Sequence, residues 1–403
     1  MKRIIGIFTL STLILAAFLS AAPAAQEAQD PVDTIDDVPR KQRLQLFKAQ
    51  EKKNRNDFEG AAKILGDFVR KNDDIHFLLY YNYGNTLLSV DRPEEALEQY
   101  KAAVALEPRF WQGWLNLGET AYNLEQYPEA AEAIMNGYRK SPERNPRLLY
   151  FAAAAYLMAE MPGKSMPLLE ELIYSDQREP KLEWYRALIM AVIELEEEEA
   201  GHRAVDRMLE VFPGDPEAWK LAFQYAASVH DYRRAAIAMT VKGYLEPLER
   251  SEMMMLGSLY TAAEVPWTAS SYYEQAMAAE SGPEDFERLA SVYMAAHEPE
   301  KALETLERAL AKEPTPKLWS LLGDLYYMED NHEKAYEAYG NCYALDPTSG
   351  RSLLMMGFCA LELGKPGEAA VHLEKAVEYE EYSSNASALL KRARHIESRQ
   401  AGS

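Results

Sequence analysis

A period of 34 residues constrains this chain more than any other feature. It separates Gly84 from Gly118, Ala96 from Ala130, and Pro108 from Pro142. Three landmarks sharing one interval mark a tandem array. Units of this length are supersecondary elements that bury their apolar faces only by stacking on neighbours. Each unit reads as two amphipathic helices of about a dozen residues.

The unit from Phe77 to Phe110 shows why. Tyr80, Tyr83, Gly84 and Leu87 fall three and four residues apart and share one face of a first helix. Asp91-Arg92-Pro93 breaks that helix. Ala96, Tyr100 and Ala103 share a face of the second helix, which Leu106-Glu107-Pro108 ends. Gly84 and Ala96 let the two backbones approach, while Tyr80, Leu87 and Tyr100 fill the space around them.

This pattern resembles the tetratricopeptide repeat. Trp114, Leu117, Gly118, Tyr122, Ala130 and Pro142 carry the resemblance in one unit, with the aromatic one place beyond its usual slot. Trp319, Leu322, Gly323, Tyr326, Ala335, Tyr339 and Pro347 carry it in another, with Cys342 in the last small-residue slot. Met253, Leu256, Gly257, Tyr260, Ala269 and Tyr273 match too, as do Phe286, Leu289, Ala290, Tyr293 and Ala302. Weaker units open at Leu148, Tyr185 and Trp219. Leu353, Met356, Gly357 and Ala369 mark the last full unit, and Phe58, Ala61 and Leu65 mark a divergent first one. The resemblance implies an all-α chain, a right-handed superhelical solenoid of antiparallel helix pairs, with about ten units between Asp36 and Glu381. One interval is long, Asn145 to Leu182, and its excess falls around Ser175–Pro180. It reads as a longer turn, or as a bend between two sub-arrays.

The N-terminal residues bear on location. Lys2 and Arg3 precede an apolar stretch from Ile4 to Leu19, followed by an A-x-A site at Ala22 to Ala24. That is the layout of a secretory signal peptide. The expected organisation is a leader over 1–24, an acidic tail over 25–40, a first array over 41–178, a second over 179–383, and a capping helix and tail over 384–403. Within the last span Ala388, Leu389 and Leu390 would shield the final apolar face. No later segment has the 18 to 20 or so apolar residues that a membrane-spanning helix needs. The expected location is outside the cytoplasm, in the periplasm first and the medium second.

Charge narrows the partners. The chain carries −21, about −23 once Lys2 and Arg3 are removed. Such a surface disfavours nucleic acid and favours basic partner segments. With 48% hydrophobic residues there is enough apolar surface for a continuous core.

Catalytic signatures are missing. There is no Gly-rich phosphate loop, nucleophile elbow, HExxH or paired CxxC. The reading is therefore no enzyme, no metal and no cofactor. His230, His297 and His332 fall near helix-to-helix turns and read as surface turn residues. The acidic run Glu194–Glu199 reads as a solvated turn, with a basic-peptide dock as the sharper alternative. Cys342 and Cys359 read as small buried residues, their pairing left open.

In the family that the chain resembles, first helices line a concave groove that takes peptides or partner helices. Carried over slot by slot, that groove comprises Tyr81, Asn82, Asn85 and Leu88, then Leu115, Asn116, Glu119 and Tyr122, then Leu149, Ala153 and Tyr156. The alternative is that Asn82 and Asn116 only stabilise the stack. A carboxylate clamp is not expected, because Tyr81, Pro146 and Tyr150 stand where its cations would be. The implied function is a non-enzymatic protein–protein scaffold or adaptor of the cell envelope. The layout is similar to repeat proteins that accompany TonB-type transport. A small-molecule carrier or enzyme on a helical solenoid is the alternative, and would need convergent polar residues in an apolar pocket. Self-assembly through the terminal faces is a third reading.

Overall fold

The computed structural model describes residues 35–175, 179–278 and 280–401. The proposed leader lies outside the described residues. Twenty-one helices and no strand occur among the described residues. They pair in order: α1 (Arg40–Asn54) with α2 (Phe58–Lys71), α3 (Phe77–Leu88) with α4 (Pro93–Leu106), α5 (Trp111–Asn123) with α6 (Tyr127–Lys140), α7 (Pro146–Met158) with α8 (Pro162–Tyr174), and α9 (Leu182–Leu195) with α10 (Glu198–Val211). α11 (Pro216–Ser228) and α12 (Tyr232–Leu245) follow, and the pairs resume with α13 (Arg250–Ala262) and α14 (Pro266–Ala276), and α15 (Pro283–Ala295) and α16 (Pro299–Lys312). It closes with α17 (Pro316–Met328) and α18 (His332–Leu345), α19 (Gly350–Glu362) and α20 (Pro366–Ala376), and a last helix α21 (Glu380–Ala401).

Two compact units contain them, one ending at Leu221 and the other beginning at Ala222. In the first, each helix from α1 to α10 packs on the next. The long connection around Ser175 does not interrupt this, because α8 and α9 pack together across it. In the second, α12 to α21 pack in the same serial fashion. The last described part of the expected N-terminal tail is tied down. Val38 is buried, and the Asp36 carboxylate pairs with Arg43 at 3.1 Å.

In five units the paired helices meet at a first-helix glycine. A Cβ built at Gly84 would lie 2.7 Å from the Tyr100 ring, at Gly118 2.6 Å from Ile134, at Gly257 2.6 Å from Tyr273, at Gly323 2.7 Å from Tyr339, and at Gly357 2.5 Å from Leu373. In every case the facing residue comes sixteen positions later, on the second helix. The large side chain rests directly on the bare backbone, so Tyr100 and Tyr339 are fully buried.

The turn between paired helices is equally regular. One residue in each of the ten turns adopts a left-handed backbone: Asn56, Asp91, Glu125, Glu160, Glu196, His230, Glu264, His297, Asp330 and Gly364. The N–H of the residue after it bonds back to the carbonyl four positions before the left-handed residue, as in Arg92 to Leu87, Glu298 to Tyr293 and Lys365 to Ala360. This closure satisfies carbonyls that the helix end would orphan, and glycine is its usual residue. Nine of the ten turns use a residue with a Cβ. Proline then opens many second helices, as at Pro93, Pro162, Pro266, Pro299 and Pro366, where its missing N–H costs nothing.

Overpacking of a tight core site costs about 1 to 3 kcal/mol. Gly323→Ala is therefore expected to lower the chemical-unfolding midpoint of the chain. Gly163→Ala, where a Cβ would meet nothing within 4 Å, is expected to leave it unchanged or raise it, because alanine favours helix. Equal effects of the two substitutions would contradict the packing role assigned to Gly323.

Candidate functional site

After four of the five packing glycines comes a polar residue: Asn85, Glu119, Ser258 and Asp324. In three units it receives the hydroxyl of the tyrosine on that glycine. Tyr100 donates to Asn85 Oδ1 at 2.6 Å and Tyr339 donates to Asp324 Oδ1 at 2.7 Å, while the Tyr273 and Ser258 hydroxyls lie 3.0 Å apart. Burying a phenol needs such a partner. Burial also pushes the Tyr100 and Tyr339 hydroxyls well above the usual tyrosine range.

Glu119 occupies the same slot after Gly118. The residue facing that glycine is Ile134, which has no hydroxyl to donate. The Glu119 side chain is half-buried on α5, and desolvation by that burial holds its carboxyl above the usual range. A half-buried carboxylate of this kind is stabilised by an incoming cation.

The residues of the expected groove divide into three groups. Asn85, Asn116 and Tyr100 form a lock between neighbouring repeats: Asn116 Nδ2 donates to Asn85 Oδ1 at 2.9 Å, alongside the Tyr100 hydroxyl. Asn82 donates to the carbonyl of Leu78 one turn back at 2.8 Å. These amides are thus engaged in hydrogen bonds within the stack. Tyr122, Tyr156, Leu149 and Ala153 lie in the core, with Tyr122 and Tyr156 only 6% and 8% exposed. Burial pushes the Tyr122 hydroxyl up to about 12.

Tyr81, Leu88, Leu115 and Glu119 remain accessible to different degrees. Tyr81 is half-buried, its ring set edge-on to Phe110 at 4.9 Å and tilted against Tyr100 at 6.0 Å. Leu88, at the end of α3, keeps 42% of its area exposed. Leu115 is half-buried and packs towards Gly137 of α6. The site that results is a small apolar and aromatic surface on α3 and α5, with one half-buried carboxylate. The Asn85–Asn116 bond joins the two helices.

The other sequence candidates have structural roles. His230 and His297 supply left-handed turn residues. His332 packs near Tyr327 and Phe358, with ring centroids 6.0 and 6.3 Å away. No group of three or more His, Cys, Asp or Glu is placed to hold a metal among the described residues. Cys342 and Cys359 are buried and unbonded, on α18 and α19. Ser352 donates to Cys342 Sγ at 3.0 Å, and burial pushes the Cys359 thiol up to about 11. No helix among the described residues is long and apolar enough to cross a membrane.

Residues 81–146 and 287–349 match the family model described as tetratricopeptide repeat. One matched stretch lies in each compact unit. The chain is also similar to a Protein STIP1 homolog of Dictyostelium discoideum, with 29% identity over 86 residues. That stretch is 21% of this chain and 15% of the relative, so the chain spans a small fraction of that protein's length. Among solved structures it is similar to MamA (22% identity, 42% of this chain and 94% of that one, TM-score 0.38). It is also similar to Naa15/Naa10 bound to HypK-THB (14%, 89% and 66%, 0.43) and to yeast Tom70 (11%, 90% and 96%, 0.35).

A carboxyl held above its ordinary range binds its proton more tightly in the folded chain than in the unfolded one. Its ionisation therefore opposes folding as pH rises through the folded value. Glu119→Gln is expected to raise the thermal midpoint at neutral pH. The gain should fade as pH falls into the ordinary carboxylate range, where both forms are uncharged. Paired melting curves across pH check this, and a gain that grows on acidification would contradict the assignment.

Proposed function

We propose that this chain is a non-catalytic interaction scaffold whose first compact unit receives a basic segment of a partner protein across α3 and α5. The observation that carries the reading is the half-buried Glu119 carboxylate, in the slot that takes a tyrosine hydroxyl in other repeats but follows a glycine faced here by Ile134. On the neighbouring α3, half-buried Tyr81 and exposed Leu88 would add aromatic and apolar contact area. Tetratricopeptide repeats in both units support a protein partner rather than a small substrate. The acidic balance of −21 adds attraction for a basic segment from a distance.

The reading includes export. Lys2 and Arg3, the apolar run to Leu19 and the small residues Ala22 to Ala24 support a location in the periplasm. There the scaffold would organise envelope proteins, with a TonB-type transport complex as one assembly of that kind.

A photo-crosslinking residue at Tyr81, and separately at Leu88, tests this in the source cell. A control belongs at Glu98, which is exposed on the second helix of the same repeat. One protein captured at both groove positions, absent at Glu98 and lost when Glu119→Gln is added, is the expected result. Capture at Glu98 with none at Tyr81 or Leu88 would move the function to the other face.

A further inference from the structure

The two end helices of the array are finished differently. Terminal repeats of a stacked array need a polar outer face. α21 has one, with Lys391, Arg392, Arg394, His395 and Arg399 all exposed. α1 does not. Its inner side is fixed: Ala49 and Gln42 are buried, and the Gln42 amide donates to the Asp74 carbonyl and accepts from His76 N–H, both at 2.8 Å. The outer face is thereby defined. Arg40, Leu44, Phe47, Lys48, Glu51 and Arg55 recur at spacings of three and four and are all exposed, with Lys41 at their flank. Leu44 keeps 52% and Phe47 70% of its area in solvent.

The charge of this helix opposes that of the chain. Seven Lys and Arg stand against one Glu between Arg40 and Arg55, in a protein of net charge −21. At physiological salt, exposed charges further away than about 8 Å are largely screened. A surface docking on α1 therefore meets a local cationic patch rather than the acidic whole.

We propose that the outer face of α1 docks on an anionic lipid surface. Phe47 and Leu44 would enter the interface between headgroups and acyl chains, and Arg40, Lys41, Lys48 and Arg55 would pair with lipid phosphates. Exposed Phe47 and Leu44 among Arg40, Lys41, Lys48 and Arg55 combine the two attractions, apolar insertion and cation pairing, that hold a segment on an anionic lipid surface. The size of the patch favours lipid over protein. A stable protein interface buries about 800 Å² on each partner and packs against a complementary shape. Two projecting apolar side chains on one convex helix supply far less area than that. A bilayer accepts isolated apolar side chains without shape matching and sums the attraction of each nearby cation. A second copy of this chain docking α1 against α1 is disfavoured, because two cationic faces would meet.

The test uses the whole chain with an environment-sensitive fluorophore on a cysteine at position 44 (Leu44→Cys). The native Cys342 and Cys359 are buried and stay unlabelled under native conditions. A second sample carries the label at Glu98. Vesicles of phosphatidylcholine alone are compared with vesicles containing 30% (roughly, by mole) phosphatidylglycerol, a fraction chosen to give an anionic surface potential. The expected result is a blue shift at position 44 with anionic vesicles only, reversed by high salt and absent at position 98. Removing two cations, Lys41→Gln with Lys48→Gln, should weaken binding roughly thirtyfold, at about one kcal/mol for each. Phe47→Ser should weaken it as well, with the charge unchanged. Three results would overturn the proposal: no shift at position 44, an equal shift with neutral vesicles, or a label already shielded without vesicles. The last would mean that another part of the chain, or a second copy, covers this face.

Discussion

The bare backbone of a first-helix glycine against a large side chain sixteen residues later is the contact on which the rest of this structure depends. It sets how closely two helices of a repeat approach, and that distance fixes what each repeat offers its neighbours. Gly84 with Tyr100 and Gly323 with Tyr339 are the fullest forms. There the buried phenol needs a polar partner, and the residue after the glycine supplies it. That residue can then reach the next repeat: Asn85 also accepts from Asn116, and Asp324 also accepts from Arg351 at 2.7 Å. One contact thus organises a repeat and ties it to the following one.

The same contact explains where a partner could be recognised. Where the facing residue is Ile134, the polar slot is released from that duty, and the chain places a carboxylate there. The energetic cost of half-burying Glu119 has no return within the repeat. It is compensated when a cation arrives, which is how a site can favour one class of partner over water. The asymmetry of the ends follows a similar logic. α21 closes its end of the array with charge, while α1 leaves Phe47 and Leu44 outward among cations.

The helix pairs and most core positions were legible in the sequence, because apolar spacing and the 34-residue period both report burial directly. The first helix was less so. Phe58, Ala61 and Leu65, which mark the first repeat, all lie on α2, whereas α1 is mostly basic and polar and shows little apolar periodicity. The left-handed turns were also hidden. Glycine usually signals them, and only Gly364 does so here, while Glu125, Glu160 and His297 take the conformation through the hydrogen bonds around them. Site residues were the hardest to read. Asn85 and Asn116 lie 31 residues apart in sequence, and nothing local shows that their side chains meet. Tyr122 and Tyr156 share the slots of groove residues yet turn into the core.

The central claim is that first-helix surfaces of the first compact unit bind a basic segment. Selection of a random peptide library on the intact chain, followed by hydrogen–deuterium exchange with the selected peptides, tests it most directly. Enrichment of Lys- and Arg-containing peptides and slowed exchange across α3 and α5 are the expected results. Enrichment without any preference for basic residues, or protection confined to second helices such as α4 and α6, would contradict it.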